Sequence, residues 1–313
     1  MRQLLEAHYE IGLISNCRLR AVGVNDHYLI RTHRGEFVLR LYQKDKFWVR
    51  NREEHCFEAE WLDFLYTTGA PVARPVRMKD GQHIGFFDAP EGLRYFLLFE
   101  AAPGKRTYPP TPEQSRSLGN AVAKIHMATG FVTSNPRVHY DASFLVQEPI
   151  QRITKFLNGN REGDVQFLRR VGGELEDFLI KLGKPTGAYG VIGGDFNGSN
   201  HHFDDLGRLT LFDFDFCGYG WRAYDIAMFQ WSMEHVGASG QESSAFLEGY
   251  QSVRPIGKEE ADSINYFAAA VQIFILGYHV SCIHWAGKSF LNDDYWSAGF
   301  GHLKILHDRL SGS

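Results

Sequence analysis

Cysteine is scarce. Four residues in 313 (Cys17, Cys56, Cys217 and Cys282) lie far apart, with no C-x-x-C pair. This excludes a disulfide scaffold and a clustered zinc site, and it fits reduced thiols in a cytoplasmic compartment. Positive charge is not in excess either: the formal net charge is -4. A nucleic-acid partner is therefore not expected, because phosphate neutralisation needs a basic surface. The N-terminal run Met1-Arg2-Gln3-Leu4-Leu5 lacks the basic-then-apolar order of a signal peptide. The most apolar stretch, residues 266–283, is borderline in length for a membrane span and contains Gln272, Tyr278, His279 and Ser281. It is expected to be a buried helix, with no membrane partner.

What is present reads as two regions. Residues 19–24, 27–32 and 36–42 are short, β-rich runs separated by Gly-Val-Asn-Asp and His-Arg-Gly turns, which predicts an antiparallel meander. Residues 51–68 place Phe57, Glu58, Trp61, Leu62 and Leu65 on one helical face. Gly69-Ala70-Pro71 ends that helix. Two further strand-like runs follow, at 83–87 and 95–99. Ala101-Ala102-Pro103-Gly104 breaks the pattern, and beyond it helices dominate: 111–129, 149–157, 164–182 and from 223 onward. The expected fold class is α+β, with an N-terminal lobe of residues 1–101 and a mostly helical lobe of residues 102–313.

The chemically informative block is 190–227, GVIGGDFNGSNHHFDDLGRLTLFDFDFCGYGWRAYDIA. Phosphoryl transfer needs a carboxylate to orient an acceptor hydroxyl and take its proton, and oxygen ligands for Mg²⁺. Asp195 precedes Asn200 by five residues, a loop able to aim a carboxylate at an acceptor and an amide oxygen at a metal. A turn near Gly207-Arg208 and a strand at 209–212 then deliver Asp213 to the same metal. Asp and Asn are common in turns for local reasons, so the ordered set carries the reading rather than any one residue. His201 and His202, adjacent on a strand, face opposite ways and do not make a metal site.

This block resembles the aminoglycoside phosphotransferase and choline kinase superfamily, which has a protein-kinase-like fold and the pattern H-G-D-x-x-x-x-N, I/F-D-F-D and G-x-G-x-R-x-x-D-x-A. The matching residues are Gly194-Asp195, Asn200, Phe212-Asp213-Phe214-Asp215 and Gly218 to Ala227. The resemblance implies Asp195 as catalytic base, Asn200 and Asp213 as Mg²⁺ ligands, and Asp225 as a structural cap of a helix beginning near Ile226. Gly193 departs from the pattern, standing where the family has histidine. That histidine scaffolds the loop, so its absence bears on loop geometry more than on proton transfer.

Outside the block, Phe37 to Tyr42 has the form of the third strand of a kinase N-terminal lobe, which implies Arg40 on the nucleotide phosphates. Glu58 is its expected partner, because a carboxylate among Trp61, Leu62 and Leu65 needs one; Glu54 and Glu60 are rivals. Asn25 lies in the turn implied to cover the phosphates. Residues 97–104 resemble the hinge that holds adenine through the main chain of Glu100 and Ala102. His126 ends a helix that resembles the family's L-x-x-x-H and is expected to be structural. The implied donor is ATP or GTP and the implied acceptor a small molecule such as an amino alcohol, an amino acid or an antibiotic. Two alternatives stand beside this: a protein Ser/Thr kinase of the same superfamily, and a non-catalytic nucleotide-binding pseudokinase. Tyr278, His279, His284, Trp285, Tyr295 and Trp296 are candidates for an aromatic acceptor wall or for core. Asp215, Glu234, Asp293 and Asp294 are candidate counter-charges for an amine.

Overall fold

The computed structural model of the protein describes residues 1–128, 130–131 and 137–311. The chain sorts into two units. The first comprises Met1–Thr107, Met127–Val138 and Asn200–Phe216; the second comprises Tyr108–His126, His139–Ser199 and Cys217–Ser313.

In the first unit, β1 (Ile14–Ala21), β2 (Asn25–Thr32), β3 (Gly35–Tyr42), β4 (Gly85–Ala89) and β5 (Gly92–Glu100) form one antiparallel sheet in the order β1-β2-β3-β5-β4. β1 starts five residues earlier than its apolar pattern suggests. Pairing with β2, from Ile14 opposite Thr32, defines it more than burial does. Helix α1 (Arg2–His8), absent from the sequence expectations, seats Leu5 against the sheet. The two-residue period of β3 divides its side chains between faces. Phe37, Leu39 and Leu41 join a core with Leu5, Ile30, Phe96 and Leu98, so Arg40 and Tyr42 emerge on the opposite face. Helix α2 (Arg52–Thr67) starts where the Asn51 side chain accepts the Glu54 N–H and carries Phe57, Glu58, Trp61, Leu62 and Leu65 buried. The short hairpin of β7 (His201–Phe203) and β8 (Leu209–Leu211) also belongs to this unit. It is fixed by Leu211 N–H to Pro71 O and Ala73 N–H to Leu211 O.

The second unit holds α3 (Pro112–Met127, but for its last residue), α4 (Glu148–Leu157), α5 (Glu162–Leu182), α6 (Arg222–His235), α7 (Gln241–Gln251), α8 (Lys258–Ser281), α9 (Ile283–Ala286) and α10 (Asp293–Ser311). A π-helical turn, Ser143–Gln147, leads into α4. Helix α8 contains most of the apolar run noted above; it is mostly buried and packs against α4, α6 and α10. This is the core helix that the sequence suggested. The strands β6 (Tyr189–Ile192) and β9 (Gly218–Trp221) pair antiparallel and bracket the informative block.

Candidate active site

In the first unit, four polar side chains from distant parts of the chain meet. Arg40 is 4% exposed and its guanidinium donates to Glu58 Oε1 at 2.6 Å and to Asp213 Oδ1 at 3.2 Å. Glu58 is fully buried, and its other oxygen accepts the Tyr42 hydroxyl at 2.8 Å. Burial alone disfavours the guanidinium, but Glu58 and then Asp213 raise its pKa well above the ordinary value. Of the three candidate glutamates, Glu58 is the one paired with Arg40. Glu54 instead accepts from Arg50, and Glu60 is exposed.

Asp213 has φ +65°, an uncommon conformation for a residue other than glycine that surrounding structure must hold. Its side chain is 36% exposed. Asn200 O accepts the Phe212 N–H at 3.1 Å, so hairpin pairing sets Asn200 opposite the residue preceding Asp213. An amide oxygen and a carboxylate are hard donors suited to Mg²⁺. Among the described residues no group of three or more His, Cys, Asp or Glu could hold a metal, so a metal held by these two donors would take phosphate and water oxygens to complete its shell.

Asn25 is buried and its side chain is occupied at both ends. Nδ2 donates to Asp215 Oδ2 at 3.0 Å, and Oδ1 accepts from Gln43 N and Lys46 Nζ at 3.2 Å each. Glu100 and Ala102 lie at the end of β5 and beyond it: Glu100 N–H donates to Arg74 O, and Ala102 O is 2.9 Å from His202 Nδ1. His201, facing the other way, is 1% exposed.

In the second unit, Asp195 lies in the loop after β6. Asn197 Nδ2 donates to Asp195 Oδ1 at 2.9 Å, and Asn197 Oδ1 accepts from Ser199 N and Oγ at 2.9 and 2.7 Å. Ser232 Oγ of α6 donates to Asn197 O at 2.6 Å. Gly198 has φ +73°, and a Cβ there would stand 2.8 Å from Met233 Cε, so the turn requires glycine.

Asp225 does not cap a helix starting near Ile226. Helix α6 begins at Arg222, and Asp225 sits in its first turn, facing the loop. The carboxylate accepts the Gly193 and Gly194 N–H groups, each at 2.8 Å, and holds His126 Nε2 at 2.9 Å. His126 Nδ1 lies 2.8 Å from the Tyr250 hydroxyl. Burial lowers the His126 pKa despite Asp225, so the neutral imidazole donates to Asp225 and accepts from Tyr250. His126 is structural, as expected. The space beside Gly193 is filled: a Cβ there would lie 2.4 Å from the buried Phe196 ring. The loop that lacks the family histidine is thus braced by Asp225 from below and by Phe196 from the side.

Sequence reasoning missed Lys46, Phe196 and Asn197, and it treated Asp215 as a counter-charge for an amine. Asp215 is 2% exposed and bonded through both oxygens to Lys46 Nζ at 2.7 Å, so it is already neutralised. Asp293 and Glu234 are likewise paired, with Arg161 and Arg309. Trp296 is core, whereas His279 and Tyr295 bond each other at 2.7 Å.

An antiparallel sheet presenting Arg40 to a helix glutamate, and a helical unit presenting a braced Asp195, define a kinase-like phosphotransferase. The chain belongs to the phosphotransferase enzyme family, whose model matches residues 18–261. It is 31% identical over 308 residues to an uncharacterised protein of Synechocystis, covering 98% of this chain and 84% of that one. It is 30% identical over 286 residues to homoserine kinase of Brucella canis, covering 86% and 80%. Among solved structures, the microcompartment-associated aminopropanol kinase superposes with TM-score 0.81 at 21% identity, covering 99% of this chain and 97% of that one. Amicoumacin kinase hAmiN, solved with AMP-PNP, Ca²⁺ and Ami, superposes with TM-score 0.80 at 20% identity, covering 98% and 93%. These confirm the kinase-like α+β fold, and the protein is an ATP-dependent small-molecule kinase.

Proposed function

We propose that the protein transfers the γ-phosphoryl group of Mg-ATP to the hydroxyl of a small amine-bearing alcohol or amino acid. The observation that carries this is the Arg40–Glu58–Asp213 cluster. It is a preorganised cation, held by a buried carboxylate, beside a partly exposed carboxylate suited to metal. In this reading Asn200 and Asp213 hold Mg²⁺, which supplies charge neutralisation on the phosphates. Arg40 takes up further phosphate charge in its fork geometry. Asn25 begins β2 beside the turn proposed to cover the phosphates, its side chain held by Asp215 and Lys46, and the main chain of Glu100 and Ala102 holds the base.

Asp195, oriented by the Asn197 amide, aligns the acceptor hydroxyl and takes its proton. The acceptor O–P bond forms as the bond between the γ-phosphorus and its bridging oxygen breaks, and ADP leaves. Helix α6 reaches the loop at Ser232. The homoserine and aminopropanol in the names of the similar kinases each pair an amine with a hydroxyl, which supports the acceptor class.

The test is mass spectrometry of homoserine, aminopropanol, choline, aminoglycosides and a generic protein, each incubated with the protein, Mg²⁺ and ATP or GTP. Phosphorylation of an amine-bearing small molecule is expected. Phosphorylation of the protein substrate alone would contradict the proposal.

A further inference from the structure

The buried pair Lys46–Asp215 has no part in the chemistry above. Lys46 is 3% exposed, and its ammonium lies over the rings of Tyr42 and Trp48, at 4.6 and 5.4 Å from their centroids. Nζ contacts both Asp215 oxygens at 2.7 Å and Asn25 Oδ1 at 3.2 Å, while Asn25 Nδ2 closes the triangle on Asp215 Oδ2. From the other side, Arg137 donates to the main-chain oxygens of Asp215 and Glu54.

Burying two charges costs several kcal/mol per ion, and an apolar pair of the same volume often stabilises a fold as well or better. Stability is therefore a weak reason for this cluster. Direction is a better one. The triangle fixes Asp215 against the start of β2 and the segment after β3, and Asp215 follows Asp213 by two residues. Asp213 has positive φ, a conformation that persists only where its surroundings over-determine it.

We infer that Lys46 is a positioning residue for metal binding. Through Asp215 it locks the backbone from which Asp213 presents its carboxylate. Through Asn25, the first residue of β2, it ties that backbone to the strand that follows the turn assigned to the phosphates. The inference rests on the proposed function, in which Asp213 is a metal ligand.

The test needs no turnover. A fluorescent ADP analogue is titrated into the full-length protein at a series of Mg²⁺ concentrations, with folding followed by circular dichroism and urea unfolding. The double variant Lys46→Met/Asp215→Leu replaces the ion pair by apolar groups and is expected to fold. Its metal-free nucleotide affinity should change much less than its Mg²⁺ affinity, which should fall about 10–100-fold, as for other supports of metal ligands. Lys46→Gln, which keeps a donor near Asp215, should shift Mg²⁺ affinity in the same direction and decides the matter if the double variant does not fold. A folded variant with wild-type Mg²⁺ affinity would overturn the inference while leaving the phosphotransfer reading intact. A wild type whose nucleotide binding ignores Mg²⁺ would overturn both.

Discussion

Asp225→Asn isolates the support of the catalytic loop from its chemistry. The carboxylate takes three buried hydrogen bonds, from Gly193 N, Gly194 N and His126 Nε2. The amide is isosteric but has a single acceptor oxygen. Placed at Oδ2, that oxygen keeps Gly193 and His126 and turns an NH₂ group toward the Gly194 N–H. One buried donor is then orphaned, at about 1–3 kcal/mol. The two surviving bonds lose their charge assistance, at about 1 kcal/mol each. The neutral amide is cheaper to desolvate, which returns part of this, so the expected loss is about 2–4 kcal/mol of a typical 5–15. Urea unfolding measures it. Because the loop carries Asp195, kcat should fall at least about tenfold, as misplacement of a catalytic group by about 1 Å can cost a hundredfold. Mg²⁺ affinity should hold, since Asn200 and Asp213 belong to the other unit. A variant with unchanged stability and unchanged kcat would refute the claim that Asp225 sets the loop.

Gly193→His, which restores the family residue, should destabilise by about 1–3 kcal/mol and not raise kcat, because its Cβ meets the Phe196 ring; thermal unfolding and initial rates check both. His279 has its pKa lowered to about 4 by burial and by His235. The unfolded chain therefore binds a proton before the folded one does. Stability due to the neutral ring is complete above pH about 6.5 and is lost as pH falls toward 4, at up to about 1.4 kcal/mol per pH unit. His279→Gln should flatten the acid limb of the stability profile over that range, as read by urea unfolding at stepped pH. Arg40→Met leaves Glu58 buried with only the Tyr42 hydroxyl, so a loss of about 3–5 kcal/mol is expected together with weaker nucleotide binding; calorimetry reports both.

Much of the fold was legible because its signals are local. The alternation in 36–42 and the apolar face of 51–68 mark β3 and α2 directly, and the spacing of Asp195, Asn200 and Asp213 marks the candidate site. What escaped depends on distant partners. Lys46 lies in Gln43-Lys44-Asp45-Lys46, which reads as a solvated turn; its burial comes from Asp215, 169 positions away. Asp215 looked available for the same reason. Asp225 was misread as a cap although the helical pattern from 223 already places it in the first turn of α6, which starts at Arg222 without a side-chain cap. Asn197 was lost among turn formers, whose local bonding is the default expectation. The grouping of Asn200–Phe216 with the N-terminal sheet follows from strand and loop contacts that no linear pattern displays.

The central claim is that Asp195 serves metal-dependent transfer of a phosphoryl group to an amine-bearing alcohol. Phosphorus NMR of ATP, Mg²⁺ and homoserine or aminopropanol, with wild type and Asp195→Asn side by side, tests it most directly. A new phosphate-ester resonance and ADP are expected with wild type, none with chelator, and a loss of about a hundred- to ten-thousandfold in Asp195→Asn, with nucleotide binding retained. Ester formation at the wild-type rate by Asp195→Asn would contradict it.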